Sequence, residues 1–425
     1  MKLASVVSLV RGLAVQIVCY FGLFLSLAVG ARSLLPAAFG VYAGAVAVAS
    51  FAGSVMTAGL DRIVLRALFQ RKSAAVGGLD PTLFVPVVLV NIVALASVTT
   101  AVATGWGGWP LIFSTLMATL VAARLILSGW FKFVANNHAN VIATFGVQPL
   151  CVGLIFAALL FSERGREAAR DPCLWVVATL VLEALQTLVL YTVARRSGFR
   201  IDHDARPQMI RGAVPHARAG LLISLLCLFA QTGPFGIAIA QWLFPPVDQG
   251  VYTVAVRVSQ LILFPWIGAS QLIIPMSSRT HPSDEVGSAR RDIRNLLLST
   301  NVLLLMSTAG FALLGAFLLQ TVMNVTDPRA YICTLILSAG NLIVGLFGLG
   351  DQIMIAVGQH KRAFWISMSC GGVLFPVLVA ISLALGYGII GIAWATAAAI
   401  ALRAVISYFC ARRIVDVPIA IFDRV

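Results

Sequence analysis

The chain has 425 residues, of which 60% are hydrophobic and 11% charged, and its formal net charge is +14. Soluble domains carry roughly 25% charged residues, so a chain with a mean hydropathy of +0.96 cannot cover a water-facing surface. Composition therefore excludes an ordinary soluble enzyme or binding domain and predicts an all-α protein embedded in a membrane.

Runs of about 20 apolar residues, taken in chain order, predict twelve transmembrane helices. The first run follows Lys2 and has features of a signal peptide, but its removal would unbalance the two halves of the chain, so we expect an uncleaved first helix. The twelve helices leave no room for a separate soluble domain. The predicted spans are residues 12–33, 40–60, 82–104, 109–130, 140–161, 173–194, 219–242, 248–275, 295–319, 331–356, 364–385 and 388–410.

The sequence contains an internal duplication. Residues 36–48 and 246–258 are identical at seven of thirteen positions, at a constant offset of 210, and residues 184–196 match 401–413 at an offset of 217. Six spans in each copy give both copies the same orientation, related by an axis along the membrane normal, as in many transporters. The predicted domains are an N-lobe (1–194), a cytoplasmic linker (195–218) and a C-lobe (219–425).

The positive charge is distributed as a topology signal rather than as a nucleic-acid surface. When loops are assigned alternately to the two sides, 22 Lys and Arg residues fall on the side of the termini and 5 on the other. Because positively charged loops remain in the cytoplasm, both termini are expected to be cytoplasmic. No nucleic-acid partner is predicted.

Helix-breaking residues interrupt several apolar runs. Proline removes one intrahelical hydrogen bond and clashes with the preceding turn, so kinks are expected at Pro86, Pro149, Pro265 and Pro376. The segment 233–236, Gly-Pro-Phe-Gly, is expected to interrupt the seventh span. Such kinks are common in membrane bundles, and bending of the seventh helix during transport is the functional alternative.

Two repeat-equivalent spans carry polar stripes. In the eighth span Thr253, Arg257, Gln260 and Gln271 fall on one helical face, which indicates either a water-filled cavity or a helix contact satisfied by hydrogen bonds. In the second span a stripe of small hydroxyl residues leads to the cytoplasmic mouth, where three charged residues follow. These are Asp61, Arg62 and Arg66.

Charges within the membrane need a partner, water or a ligand, because each costs on the order of 2.5–3.5 kcal/mol at the bilayer centre. Glu183 in the sixth span and Arg124 in the fourth are expected either to form a structural ion pair or to leave Glu183 as a protonatable coupling site. Arg403 occupies the repeat position of Gln186, and Asp351 either neutralises it or meets water at the interface.

No catalytic or metal-binding arrangement is predicted. The histidines fall in cytoplasmic loops or at their edges without metal-ligand spacing, the seven cysteines have neither metal-ligand nor redox spacing, and a P-loop motif is absent. We therefore predict a protein that is not an enzyme and binds no cofactor or metal.

Several segments resemble bacterial polysaccharide transporters, the O-antigen-type flippases of the multidrug/oligosaccharidyl-lipid/polysaccharide (MOP) exporter superfamily. The likeness spans most of the chain, and the order and spacing of the segments are more specific than any one of them. The segments are residues 31–42 with 59–62, 248–252, 327–331 with 356–359, and 388–396.

This resemblance implies two parallel six-helix lobes around a central cavity, in the bacterial inner membrane. The implied substrate is a polyprenyl-diphosphate-linked oligosaccharide, moved by alternating access from the cytoplasmic to the outer leaflet, with membrane lipids and a polysaccharide polymerase complex as further partners. Arginine suits a diphosphate because its donors form a planar fork. The expected diphosphate contacts are Arg257, Arg62, Arg66, Arg218 and Arg11, with Gln260 and Thr253 beside them.

Three alternatives stay open. A cation-coupled multidrug antiporter of the same superfamily would use Glu183, with coupling to a proton or sodium gradient. A major-facilitator-type porter also has twelve spans, but Gly59 to Arg62 matches its loop motif only at Asp-Arg. A membrane scaffold for polysaccharide assembly would leave the arginines within the membrane unexplained. Peptidoglycan-precursor flippases have two further helices, so a polysaccharide repeat unit is the favoured cargo.

Overall fold

The computed structural model describes residues 3–57, 109–133, 137–199, 232–263, 286–347, 349–356 and 359–414, together with residue 229, residues 265–266 and scattered positions between 87 and 98. All regular secondary structure in these residues is helical. Eight of the described helices are long and apolar enough to cross a membrane. The chain is therefore a multi-pass membrane protein.

The first of two compact units comprises Met1–Leu228. Its long helices correspond to predicted spans, and one short helix lies in the connection before the sixth span. The described helices are α1 (Leu3–Ser33), α2 (Pro36–Met56), α3 (Trp109–Phe133), α4 (Asn137–Phe145), α5 (Gln148–Leu159), α6 (Glu163–Ala169) and α7 (Pro172–Arg196).

The second compact unit comprises Phe229–Val425. Two of its α-helices continue directly into π-helical segments. One segment, Leu318–Val322, follows the helix that ends at Phe317, and the other, Met368–Leu374, lies in the eleventh predicted span. The described α-helices are α8 (Thr232–Leu243), α9 (Pro246–Ile262), α10 (Val286–Phe317), α11 (Pro328–Phe347), α12 (Gly350–Ala356), α13 (His360–Ser367), α14 (Phe375–Ala384) and α15 (Gly388–Arg412).

Proline and capping residues set the starts of these helices. Pro36 opens α2 and Pro246, its repeat equivalent, opens α9. Proline suits the first helical turn because the missing N–H would be unpaired there and φ is already helical. At α7, the Asp171 carboxylate accepts a hydrogen bond of 2.9 Å from the backbone N–H of Cys173. The repeated motif thus sets the same helix start in both units.

Small residues bring the helices close together inside each unit. A Cβ at Gly53 of α2 would lie 2.7 Å from Val121 of α3, and one at Gly340 of α11 would lie 2.9 Å from the Ala397 backbone of α15. Such contacts are the usual basis of helix packing in membranes, where lipid provides no hydrophobic drive between helices. Each glycine therefore permits a backbone approach that any side chain would prevent.

Aromatic rings fill the interior of the first unit near its sixth span. Trp175 stacks on Phe156 with ring centroids 3.8 Å apart, and Tyr42 meets Trp175 edge-on at 5.5 Å. The Trp175 indole also donates a 2.9 Å hydrogen bond to the Ala169 carbonyl at the end of α6. These contacts fix α2 and α6 against α7.

Two of the long apolar helices keep large apolar side chains exposed along their length. Leu188 of α7 is 58% exposed and Leu313 of α10 is 84% exposed. Only 22% of the most apolar window of each of these two helices is buried. Such faces are stable in hydrocarbon because the helical backbone satisfies its own hydrogen bonds.

The fifth and tenth predicted spans are interrupted. In the fifth, where a kink is expected at Pro149, α4 ends at Phe145 and α5 begins at Gln148, so the break at residues 146–147 lies within the turn before the proline. The reason is that proline lacks the N–H that would bond the carbonyl four residues before it. In the tenth, α11 ends at Phe347 and α12 begins at Gly350. The irregularity expected near Pro376 takes the form of the π-helical segment that precedes it.

The segment 233–236 is itself helical, since α8 runs from Thr232 to Leu243, and the interruption expected within it is not found in these residues. The turn before Pro234, which a proline would distort, includes residues 230–231, which lie outside the described residues. Gly236 admits the Tyr252 hydroxyl, which would lie 2.5 Å from a Cβ at that position. In the eighth span α9 ends at Ile262, before Pro265. Pro86 lies outside the described residues.

Candidate functional site

The interruption of the fifth span in the first unit is held by a side chain from the sixth. Gly146, at the interruption, has φ of +81°, a conformation that favours glycine. The Gln186 side-chain carbonyl accepts hydrogen bonds of 2.8 Å from the backbone N–H groups of both Val147 and Gln148. Gln186 therefore caps the start of α5. We call residues 146–147 the fifth-span break.

The ion pair predicted between Arg124 and Glu183 is present. Arg124 Nε lies 2.7 Å from Glu183 Oε1, and the two side chains are 8% and 1% exposed. Arg124 Nη1 also donates to the Ala143 carbonyl at 2.7 Å, near the end of α4. Arg124 thus bonds the carboxylate and one end of the fifth-span break at the same time.

This pairing limits what Glu183 can do chemically. A buried carboxylate bonded to a guanidinium is already neutralised, and removing one partner would leave an uncompensated buried charge. Among the residues that the structure describes, Arg124 and Glu183 are the charged residues of the first unit classed as buried. The two opposite charges therefore neutralise each other. In an acidic cation site, a metal ion or a proton would bind the carboxylate, but here Arg124 occupies that place beside Glu183.

In the second unit, the predicted polar stripe lies on α9. Arg257 Nη1 donates to Gln260 Oε1 at 3.2 Å, and both residues are partly exposed. Thr253, one turn earlier, is buried, and its hydroxyl has no hydrogen-bond partner within the described residues. The inner side of α9 is fixed by Asn341 of α11, whose amide donates to the Ser259 carbonyl at 3.0 Å. The structure therefore brings Arg257 and Gln260 together in a mutual contact.

The second unit also has an ion pair. Arg403 Nε of α15 lies 3.4 Å from Asp351 Oδ2 of α12, with the side chains 14% and 20% exposed. At 3.4 Å this contact is longer than the 2.7–2.9 Å of a strong charge-assisted hydrogen bond. Asp351 thus neutralises Arg403, which is one of the two arrangements predicted from the sequence. The contact is longer than that of the ion pair in the first unit.

A three-residue charge cluster joins two helix starts of the second unit. Arg329 donates to Asp327 at 2.6 Å and to Asp248 at 2.7 Å, so α11 and α9 are tied together at their N-terminal ends. The Arg329 guanidinium holds the pKa of the Asp327 carboxyl, which precedes α11, below its usual range. Both aspartates were noted in the sequence only as parts of family-like segments.

Several predicted site residues cannot be located in space. Asp61, Arg62, Arg66 and Arg218, as well as Gln271 of the polar stripe, lie outside the described residues. Arg11 belongs to α1, of which the backbone is described at that position. Their roles stay predictions.

The duplication includes a hydrogen bond that occurs once in each unit and that was not predicted from the sequence. The hydroxyls of Tyr42 and Thr179 lie 2.8 Å apart in the first unit, and those of Tyr252 and Thr396 lie 2.9 Å apart in the second. The tyrosines are related by the offset of 210 and the threonines by the offset of 217. Applying both offsets to the sequence would therefore have paired the two contacts. No sequence pattern of this kind indicates that Gln186 caps α5.

No protein-family model and no curated protein matches the sequence. Solved structures do match across nearly the whole chain. A MATE mutant is 13% identical with a TM-score of 0.61, over 96% of this chain and 95% of that one. The MATE multidrug transporter DinF-BH is 16% identical with a TM-score of 0.55, over 95% of each chain. An outward-facing multidrug resistance MATE family transporter of the MOP superfamily is 15% identical with a TM-score of 0.55, over 96% and 95%.

These similarities show the fold. The chain has the fold of MATE transporters, which place twelve helices in two lobes, and the predicted fold class is confirmed. At identities of 13–16% the likeness does not extend to a substrate. The cavity expected between the lobes stays a prediction.

Proposed function

We propose that the protein is a flippase of the MOP superfamily. Its cargo is a polyprenyl-diphosphate-linked oligosaccharide, moved by alternating access from the cytoplasmic to the outer leaflet of the bacterial inner membrane for surface polysaccharide synthesis. A fold shared with MATE transporters along nearly the full length of the chain supports a transport role. The nature of the cargo is argued from the charges.

The observation that carries the proposal is the position of Arg257. The carboxylates Glu183 and Asp351 are each paired with an arginine of their own unit. Arg257 lies partly exposed on α9, in the middle of the eighth predicted span. An arginine at that depth suits an anionic cargo, because a phosphate oxygen would offset the cost of a cation there.

Arg257 is the proposed diphosphate contact. It is partly exposed on α9, and its contact with Gln260 is at 3.2 Å, between one charged and one neutral group. A phosphate oxygen would offer Arg257 a stronger, charge-assisted bond. Gln260 would then be available to a neighbouring oxygen of the cargo. Thr253 remains a proposed contact on the strength of the sequence, since its hydroxyl is buried in the structure. Arg62, Arg66, Arg218 and Arg11 remain proposed contacts on the strength of the sequence.

A cation-coupled multidrug antiporter is the second candidate, and the structural neighbours favour it, since two of those described above are multidrug transporters. Such a protein needs an acidic group that exchanges a proton or sodium ion for the drug. Glu183 is the candidate for that group, but its bond to Arg124 opposes exchange because Arg124 would have to lose its counter-ion. We therefore rank this function second.

The test is flipping in reconstituted vesicles. Purified protein is inserted into liposomes containing a polyprenyl-diphosphate oligosaccharide, and the fraction of lipid in each leaflet is followed with a membrane-impermeant enzyme that modifies the sugar. We expect Arg257→Ala to lose roughly tenfold or more in rate, equivalent to one charge-assisted contact of about 1.5–3 kcal/mol. Arg257→Lys should recover part of the rate.

The matched control is Arg362→Ala, which removes an exposed arginine of the same unit and should leave the rate unchanged. Wild-type protein that accelerates no leaflet exchange, but drives drug accumulation against a sodium or proton gradient, would replace the proposal by the second candidate. Equal rates for wild type and Arg257→Ala would remove Arg257 from the site.

A further inference from the structure

The fifth-span break leaves backbone groups that other protein groups only partly satisfy. In a continuous helix, the carbonyls of Ala143, Thr144 and Phe145 would accept from the N–H groups of residues 147, 148 and 149. Residues 147 and 148 donate to Gln186 instead, and residue 149 is a proline. Arg124 replaces the donor to Ala143. The carbonyls of Thr144 and Phe145 thus lose their usual donors.

The Gln186 amide beside the break has the opposite need. Its carbonyl accepts two backbone N–H groups, which fixes its orientation and leaves Nε2 as a donor directed elsewhere. Within the described residues this Nε2 is buried and has no hydrogen-bond partner.

The Gln186 amide faces the break. Its Nε2 lies 3.3 Å from the place where a Cβ would stand on Gly146, and Arg124 Nη1 lies 3.6 Å from the same point. Because the residue there is glycine, with φ of +81°, that volume contains no side chain from the break itself. An unpartnered donor and carbonyls without their usual donors therefore lie around the same glycine.

We propose that the first unit binds water at the fifth-span break. Water is the ligand that fits, because it accepts from Gln186 Nε2 and donates to the carbonyl of Thr144 or Phe145. A cation would be repelled by the N–H donors and by Arg124, and an anion would leave the carbonyls unpaired beside Glu183. Buried waters typically make about three hydrogen bonds to groups that are otherwise unsatisfied.

The bound water explains how the span can be interrupted inside a membrane. An unsatisfied backbone group in hydrocarbon costs several kcal/mol, so irregular backbone is tolerated at that depth only where protein or water satisfies it. Gln186, Arg124 and the water together replace the missing helical bonds. The proposal holds whether the cargo is a lipid-linked oligosaccharide or a drug.

Cys19 provides a reporter of this water. A Cβ on Gly22 would lie 2.4 Å from Leu150, and one on Gly153 would lie 2.9 Å from the Ser26 backbone, so α1 and α5 run side by side in the same direction. One turn earlier, Cys19 is level with residues 146–147. Cys19 is 2% exposed.

The experiment combines a map and a labelling measurement on the full chain in lipid nanodiscs. A cryo-EM map that resolves ordered water should show a peak within hydrogen-bond distance of Gln186 Nε2 and of the Thr144 or Phe145 carbonyl. X-ray radiolysis in isotopically labelled water should oxidise Cys19 despite its burial. Cys333, which is 0% exposed in the second unit and whose thiol contacts the Ile389 carbonyl, should stay unlabelled.

Gln186→Leu removes the amide and should abolish labelling of Cys19. Gln249→Leu is the matched control, since it removes an amide that donates within the second unit, to Gln241 and Phe244, and should leave Cys19 labelled. The proposal is overturned if the map shows Gln186 Nε2 bonded directly to protein with no water peak. Labelling of Cys19 no higher than that of Cys333 would overturn it as well, and this wild-type comparison decides the matter even if the variant does not fold.

Discussion

The Tyr42 hydroxyl lies 2.8 Å from the Thr179 hydroxyl, and it joins the second predicted span to the sixth inside the first unit. The second unit repeats this contact between Tyr252 and Thr396 at 2.9 Å. All four side chains are interior to their units. The duplication therefore preserved a buried hydrogen bond as well as a helix arrangement.

Loss of either tyrosine hydroxyl should destabilise its own unit. We expect Tyr42→Phe and Tyr252→Phe each to lower the free energy of unfolding by about 1 kcal/mol, the usual net value of one hydrogen bond. The ring and its apolar contacts are retained, so the loss reports the hydroxyl. Thermal unfolding in detergent, followed by near-UV circular dichroism, measures the change.

Tyr387→Phe is the control for these variants, because Tyr387 is 62% exposed and should tolerate the change. A melting temperature for Tyr252→Phe that matches wild type would show that Thr396 finds an equally good partner. The contact would then have no energetic role.

Removing one partner of the Arg124–Glu183 ion pair should lower the free energy of unfolding more than replacing both partners. Glu183→Gln or Arg124→Gln leaves one buried charge without its partner, so each should cost about 3–5 kcal/mol. The double variant leaves two neutral amides that can hydrogen-bond each other and the Ala143 carbonyl. We therefore expect it to be more stable than either single variant, as judged from unfolding free energies in a double-mutant cycle.

The same cycle separates a structural pair from a cation site. If Glu183 held a sodium ion, wild type would gain stability from sodium by mass action and Glu183→Gln would lose that gain. We expect neither stability to depend on sodium. A sodium-dependent melting temperature in wild type that disappears in Glu183→Gln would favour the antiporter reading.

Much of the fold could be predicted from the sequence, because the apolar runs and the internal repeat can be recognised in the residues themselves. The predicted starts of the sixth and twelfth spans lie within one residue of Pro172 and Gly388. Pro149 predicts a kink in the fifth span, but the contact that holds the break could not be predicted. It depends on Gln186 of another helix, and no periodicity in the fifth span records that contact.

The part of the candidate site that could be predicted from the sequence is the part that carries charge. Arg124 and Glu183 were paired on the sequence because two opposite charges at similar depth in a membrane need each other. Gly236 shows the opposite case, since it has the composition of a flexible segment but lies in a helix where the nearby Tyr252 hydroxyl requires a glycine. A glycine that permits packing and a glycine that permits bending look the same in a sequence.

The contact between Asp327 and Arg329 should make stability depend on pH at the acid end. Arg329 lowers the pKa of Asp327 from its ordinary value of about 3.9. A carboxyl with a depressed folded-state pKa adds stability above its unfolded pKa, and that stability is lost as the pH falls through the folded value. The melting temperature of wild type should exceed that of Asp327→Asn at neutral pH.

This difference should shrink below about pH 4 and vanish once Asp327 is protonated. Because Arg329 is 41% exposed, solvent screens the contact and the difference should be small. A gap between the two melting curves that persists unchanged at low pH would assign the effect to the backbone bond from Arg329 rather than to charge.

The Asp351–Arg403 ion pair should contribute less than its counterpart in the first unit. Its atoms are 3.4 Å apart rather than 2.7 Å, and its side chains are 20% and 14% exposed rather than 1% and 8%. Water can therefore reach either charge if the other is removed, and the penalty of an uncompensated buried charge falls accordingly. We expect Asp351→Asn to cost about 1 kcal/mol, clearly less than Glu183→Gln. Unfolding free energies of the two variants, measured side by side, test this order, and an Asp351→Asn loss as large as that of Glu183→Gln would mean that distance and exposure do not rank the two ion pairs.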